Sequence, residues 1–391
     1  MRNRIQHLRR DERGMTMAFV AMTFMAFLTA TTLAIDVGMF MAARSQAQNA
    51  ADSGALAGAI ALGFNDFDNR SASGPAVSAA ISAVQSNVMI GAAPSVLPAD
   101  VTFPNDPAGN PTRVKVAVYR NAARDNEIPT IFGRLFGVDS VEISASAIAE
   151  ASQANAMKCV KPFMIPDRWT EASGPFNPLT SDFRAFDNHG NPLPPGQADV
   201  YVPANQPGYT GYTDDDRGMQ LILRAGTGSN IEPTAYQSWN MPGNNGLIGG
   251  EWYRSNISGC NQTLITIDLN NPLYLQQEPG AMSGPTGQGI DELIARDPLA
   301  RWDTGCRCVR GSNAAVSPRI TPLPLYNPKK YAEGKANGRN ADFYLANIMG
   351  FFVDRRQGNQ VYGFITPISG FVNGSVPAPA GAFPVAIRLV E

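Results

Sequence analysis

The sequence predicts an α+β protein: an N-terminal transmembrane helix extended as a stalk, then a small α/β unit, then a larger mixed, β-rich domain. Three observations lead there. Met15 to Ile35 is a run of 21 residues without a charge, behind an arginine-rich leader. Small residues then continue at helical spacing past that run. Finally, the 30 prolines and 37 glycines of this 391-residue chain concentrate in its second half, where short apolar runs alternate with turn-forming ones.

The uncharged run is long enough for a membrane. At about 1.5 Å per residue it spans a hydrocarbon core of about 30 Å. Its threonines (Thr16, Thr23, Thr29, Thr31 and Thr32) are tolerable there, because a threonine hydroxyl bonds back to the carbonyl one turn earlier. Arg2, Arg4, Arg9, Arg10 and Arg13 precede the run, against Asp11 and Glu12; the first charges after it are Asp36, Arg44 and Asp52. Positive charge stays on the cytoplasmic side, so the N-terminus belongs inside and the chain after Asp36 outside. A cleaved signal peptide would carry an apolar region of only about 7–15 residues and an A-x-A-like site. This run is longer and continues as helix, which favours an uncleaved anchor. The expected organisation is a basic tail over residues 1–14, a membrane helix over 15–35, a stalk helix over 36–66, a small α/β domain over 67–155 and a β-rich domain over 156–391.

Past Asp36, small residues recur at Ala43, Ala47, Ala50, Gly54, Ala57 and Ala61. Their spacing averages about 3.5, a heptad-like period. Arg44, Gln46, Gln48, Asn49 and Asp52 lie mostly off the stripe. One continuous helix from Thr16 to Leu62 is therefore expected. Such a seam admits close helix packing, either against the chain's own first domain or against a helix of another protein. The pattern is the same in both cases.

Further on, Ala76 to Val88 reads as a short helix and Val114, Val116 and Val118 as a half-buried strand. Ile128, Ile131, Phe132, Leu135 and Phe136 stand at helical spacing, and Val141, Ile143, Ala145 and Ala147 alternate as a strand. In the second half, strands are expected at Lys161–Ile165, Gln220–Leu223, Leu264–Ile267, Ile320–Leu325, Gly350–Val353 and Val361–Ile365. Asn191–Gly196 and Asn240–Gly246 read as turns. A helix is expected at Gly289–Arg296, with Asp291 and Glu292 favourable at its N-terminus.

Cys159, Cys260, Cys306 and Cys308 are the four cysteines. One residue between Cys306 and Cys308 is too few for a zinc knuckle, so no metal is expected and disulfides of an oxidising compartment are. A bridge inside the doublet would close a very small ring. The preferred pairing joins Cys159 and Cys260 to the two members of the doublet, in either order. A net charge of −2 offers nucleic acid no attraction. The G-x-S-x-G, H-E-x-x-H, Walker and G-x-G-x-x-G motifs are missing from the sequence. Of the two histidines, His7 falls on the cytoplasmic side and His189 in a turn. Asp214-Asp215-Asp216 lacks the spacing of a calcium loop and reads as a solvated acidic turn. No catalytic residue and no cofactor is expected.

Arg13-Gly14, the apolar run, Ala34-Ile-Asp-Val-Gly38, Ala42-Ala-Arg-Ser-Gln-Ala-Gln-Asn-Ala-Ala-Asp52 and Ala55-Leu-Ala-Gly58 together resemble the N-terminal module of TadG-like proteins of the tight adherence (Flp, type IVc) pilus assembly systems. Looser likeness follows at Phe136–Ser146, Cys159–Pro162, Ser283–Thr286, Ser317–Leu323 and Gly350–Val353. The chain departs from prepilins, which are cut after a glycine and carry a glutamate five residues on. Here Phe19 stands in that place, and no pilin-type processing is expected. The von Willebrand-type metal motif D-x-S-x-S of some family members is also missing. The resemblance implies a non-enzymatic component of pilus assembly or secretion in a bacterial inner membrane, with its bulk in the periplasm, docking other assembly subunits through its helix and head. The alternative is an anchored adhesin using the aromatic residues around Trp239, Trp252, Tyr253 and Trp302.

Overall fold

The structure is a computed structural model. It describes residues 13–390 apart from 66–68, 108, 188, 227–229, 244–248, 315, 337–342, 375, 377 and 380–382. The basic tail before Arg13, His7 within it, and part of the Asn240–Gly246 turn lie outside the described residues. The chain divides into two compact units: Met1–Leu62 with Asp66–Glu150 and Arg388–Glu391, and Gly63–Asn65 with Ala151–Ile387. The protein is α+β, with a long apolar helix at its start and a β-rich second unit.

In the first unit, α1 runs from Arg13 to Phe64 without a break, 52 residues, or about 78 Å. No proline interrupts it, and its threonines satisfy themselves locally. The hydroxyls of Thr23, Thr29 and Thr31 donate to the carbonyls of Phe19, Met25 and Phe27 at 2.8–2.9 Å, four residues back. Residues 14–35 are exposed, apart from half-buried Thr32. The second helix, α2 (Pro75–Gln85), starts on a proline whose missing N–H is harmless at that position and buries Ala76, Val77, Ala80 and Val84 on one face.

Five strands belong to this part of the chain: β1 (Val101–Thr102), β2 (Arg113–Arg120), β3 (Ile128–Pro129), β4 (Ser140–Val141) and β5 (Ile143–Gln153). The valines of β2 alternate buried against half-buried neighbours, as a strand covered on one face requires. β2 pairs antiparallel with β1 and β5, and β3 with β4. Ile128–Phe136 is not the helix its spacing predicts. Pro129 and Gly133 break the run into β3, a connecting turn and one 3-10 turn at Gly133–Phe136.

In the second unit the strands are β6 (Ala156–Met157), β7 (Phe163–Pro166), β8 (Gln220–Ala225), β9 (Ala235–Ser238), β10 (Ile265–Thr266), β11 (Arg301–Asp303), β12 (Cys308–Arg310), β13 (Ile320–Tyr326), β14 (Leu345–Gln357), β15 (Gln360–Thr366) and β16 (Ile368–Ser369), with β17 (Pro384–Leu389) at its end. A closed barrel of order β13-β14-β15-β8-β9-β7 is its centre. Closure removes free strand edges, and parallel pairing of β7 with β13 completes it. The helices are α3 (Gly249–Ser258), α4 (Ser283–Ala295) and α5 (Pro328–Ala336). Alternating barrel residues such as Leu221, Leu223, Leu323, Leu325, Met349, Phe351 and Val353 form one buried cluster with Tyr253 and Ile257 of α3 and Ile290 and Leu293 of α4. Gly289 allows that contact between helices: a Cβ there would lie 2.7 Å from Ile257 Cβ.

The disulfides differ from the preferred pairing. Cys159 bonds Cys260, and Cys306 bonds Cys308. The hairpin of β11 and β12 explains the second. Asp303 pairs with Cys308 across it, and Arg307 turns through the left-handed region (φ 50°). That reversal leaves the two Cα atoms 5.2 Å apart, within ordinary disulfide reach.

Candidate functional site

The feature best defined for function is the place where α1 changes from exposed to buried. Burial starts abruptly at Asp36, the first charge after the apolar run. Its carboxylate accepts from three consecutive backbone N–H groups of the β3–β4 connection: Ile131 at 3.0 Å, Phe132 at 3.0 Å and Gly133 at 2.7 Å. A carboxylate holding successive amides resembles the anion nest of a loop. Hydrogen bonds to a charged group of this kind contribute about 1.5–3 kcal/mol each at most. The clamp therefore fixes one loop to the helix at the end of its exposed segment. Sequence reasoning missed this role. Asp36 stands out as a lone acid, but its partners lie 95–97 residues away.

Beyond Asp36 the small-residue seam is covered. Ala43, Ala47, Ala50, Gly54 and Ala61 are buried, and Ala57 is half-buried. Ala51, Ala55, Gly58 and Ala59 join them, so the buried stripe is wider than the sequence reading. What covers it is the unit's own structure. A Cβ on Gly54 would stand 2.5 Å from Val84 Cγ2 of α2 and 3.2 Å from Val116 Cγ1 of β2; one on Gly58 would stand 2.8 Å from Val114 Cγ1. Of the two fates open to the seam, internal packing is the one observed, and it leaves those residues no room for another protein's helix. Polar contacts extend the same junction: Gln46 Oε1 accepts from the N–H of Ile90 at 2.9 Å, and Gln48 Nε2 donates to the Ser146 carbonyl of β5 at 3.3 Å.

The unit is locked further along by ion pairs. Arg124 grips Asp100 with two bonds of 2.7 and 2.8 Å. Burial raises the Asp100 pKa, but the Arg124 bonds, the N–H of Leu97 and the Arg124 charge together outweigh it, leaving the carboxyl below its ordinary range. Buried Glu150 pairs with both Arg113 (2.9 Å) and Arg388 (3.1 Å), tying the end of the chain to β5.

The second unit carries buried polar networks. Asp167 accepts from the hydroxyls of Tyr201 (3.0 Å) and Tyr209 (2.9 Å) and from the N–H of Tyr212 (3.0 Å). Burial pushes its carboxyl up to about 6, against those donors, which hold it lower. Lys161 donates to the carbonyls of Asn256, Ile257 and Gly259 at 3.2, 2.7 and 2.8 Å, at the end of α3. Burial, and then the charge of Arg296, brings its pKa down to about 7. Arg319 donates to the carbonyls of Val353, Asp297 and Ala300. These groups spend their hydrogen bonds on the chain's own backbone and tyrosines, as buried charges require.

The remaining candidates fall as follows. Asp216 caps its own turn through the Thr213 N–H and pairs with Arg168 at 2.6 Å. His189 is exposed, in a turn on the Asp187 carboxylate. Trp239 and Tyr253 are buried, and Trp302 stacks on Phe364 with centroids 5.0 Å apart. Trp252 lines an open cleft of about 610 Å³ together with Asn256, Cys260 and Gln262. Among the described residues there is no group of three or more His, Cys, Asp or Glu placed to hold a metal.

Residues 14–61 match the family model described as "Putative Flp pilus-assembly TadE/G-like". The match covers α1 almost end to end, exposed segment and covered seam together, and it bears out the TadG-like resemblance of this module. No curated protein and no solved structure matches the chain.

Proposed function

We propose that this protein is a non-enzymatic, single-pass component of Flp pilus assembly, held in the bacterial inner membrane by the exposed segment of α1. The carrying observation is one of register. The family match over residues 14–61 coincides with a helix that is apolar and exposed up to Ile35 and covered along one face from Asp36 onward. α1 is also long and apolar enough to cross a membrane. Two disulfides suit an oxidising compartment, and the arginines before the run suit a cytoplasmic N-terminus. The second unit and the part of the first beyond Ile35 then stand in the periplasm.

The role is tethering and docking rather than turnover. With the Ala43–Ala61 seam occupied by the chain itself, other assembly subunits meet the exposed membrane segment or the surfaces of the two units. The test is piliation in cells whose α1 residues 15–35 are replaced by an unrelated transmembrane segment, with the rest of the chain unchanged. Loss of pili while both units stay folded and exported supports docking through that segment. Normal piliation there, and again after complete deletion of the protein, refutes the assembly role.

A further inference from the structure

We infer that the loop between β3 and β4, residues 131–138, lies in the headgroup layer of the membrane that α1 crosses. Its partner is then the lipid surface itself. The inference rests on the reading of α1 as a membrane span and adds a second point of contact to it.

The loop is unusually apolar for an exposed one. Ile131 is 55% exposed, Leu135 78%, Phe136 65% and Val138 48%. Four large apolar side chains in eight positions make a patch, whereas other exposed apolar residues of this unit outside α1, such as Val88 and Leu97, stand singly. The loop is also rigidly built. The Thr130 hydroxyl donates to the Val138 carbonyl at 2.6 Å, and the Val138 N–H donates to the Gly133 carbonyl at 3.0 Å. Gly137 closes the turn at φ 80°, where a side chain would be strained.

Its position decides what it meets. The Asp36 carboxylate holds Ile131, Phe132 and Gly133 by their N–H groups. Asp36 directly follows a run of 21 residues, whose length of about 31 Å matches a bilayer core. The clamp thus sets the loop at the level where the helix leaves the hydrocarbon. Apolar side chains in that layer sink about 5–10 Å into the boundary of headgroups and acyl chains. Exposed Arg134, anchored through Nε to the Thr130 carbonyl at 3.0 Å, suits lipid phosphates on the same loop. A different turn supplies the contrast. Ile90 is bonded to Gln46, ten residues past Asp36 and about 15 Å further along the helix, so neighbouring Val88, 63% exposed, stands in water.

The test uses the full chain with its native disulfides oxidised and one introduced cysteine carrying a spin label: Leu135→Cys, Phe136→Cys, Val88→Cys or Leu28→Cys. Each variant is reconstituted in vesicles of phosphatidylethanolamine and phosphatidylglycerol. Relaxation by oxygen, which concentrates in lipid, is compared with relaxation by a water-soluble nickel chelate. The oxygen-to-nickel ratio at positions 135 and 136 is expected to exceed that at 88 several-fold and to fall below that at 28, as a position at the boundary of the hydrocarbon requires. A ratio at 135 and 136 equal to that at 88, with 28 high, overturns the loop contact and leaves the membrane span standing. Protection of 135 and 136 from both reagents means that protein covers them, and also overturns it. A low ratio at 28 removes the membrane span, and this inference with it.

Discussion

The two ends of α1 are one unbroken helix with opposite surroundings. From Met15 to Ile35 its apolar residues are mostly large (chiefly methionine, phenylalanine and leucine, with alanines between them) and exposed; from Ala43 to Leu62 the buried ones are almost all alanine and glycine. Polarity already separates the two segments, since Arg44, Gln46, Gln48, Asn49 and Asp52 all fall in the second; residue size separates their apolar faces. Small side chains bury little area each, and they let α2 and β2 approach until Gly54 has no room for a methyl group. Large ones suit a helix whose surroundings are as apolar as themselves, as a bilayer would be. Asp36 marks the border: its own carboxylate holds three backbone donors, and none of the exposed segment's side chains before it is buried.

The most disruptive way to break the comparison is Gly54→Leu. Its side chain would run into Val84, and overpacking of this kind should destabilise the first unit by about 3 kcal/mol or more, read as a fall in the unit's thermal or denaturant midpoint. Next comes pH, which should separate the two units. The Asp167 carboxyl in the second unit titrates at about 6, about two units above its ordinary value. Its contribution is full below about pH 4 and is lost as pH rises through about 6, a change of about 3 kcal/mol. Asp100 in the first unit is shifted the other way, so its contribution is present above the ordinary carboxylate range and fades in acid. Acidification from pH 6 to 4.5 should thus favour the second unit over the first in melting curves, and Asp167→Asn should abolish the second unit's gain.

Asp36→Ala strips the acceptor from three backbone N–H groups. Part of the loss is recovered by water, leaving a destabilisation of about 2 kcal/mol. Hydrogen exchange at residues 131–133 should speed up more than anywhere in β2. The smallest effect belongs to the exposed segment. Phe27→Ala should change the first unit's stability by less than about 0.5 kcal/mol, since Phe27 touches none of its core; a larger change would mean the segment packs on protein.

What the sequence reveals of this molecule follows local geometry closely. The uncharged run, the valine alternation of β2 and the barrel strands β8, β13 and β15 are visible because their spacing matches their period. Ile128–Phe136 misleads because its apolar residues repeat at helical spacing without sharing a buried face: Ile128 is buried, whereas Ile131, Leu135 and Phe136 are exposed; Pro129 and Gly133 are the truer signals. β14 extends to 13 residues, far past Gly350–Val353, because the barrel pairs it on both sides whatever its ends contain. α3 carries a polar sequence without a clean apolar stripe, and only its contact at Gly289 explains it. The Cys306–Cys308 bond depends on a left-handed Arg307, which no spacing rule announces. The site divides in the same way. The line of the seam is legible but not its width, since Ala51, Ala55, Gly58 and Ala59 are buried beside it and Ala57 only half-buried; what packs on it is not legible, because a covered stripe looks alike whether its cover is the same chain or another. Asp36 is visible, whereas its donors are distant in sequence.

The central claim is that the seam is filled by the chain itself. It is tested by cysteines placed singly at Ala43, Ala47 and Ala50, all fully buried, with Ala42→Cys on the exposed face as reference. Each purified protein, alone in detergent, is treated with a small alkylating reagent. Labelling is expected to be rapid at 42 and absent at 43, 47 and 50 until the first unit is unfolded. Labelling of the native protein at all four positions at comparable rates would contradict it, and would return the seam to a partner's helix.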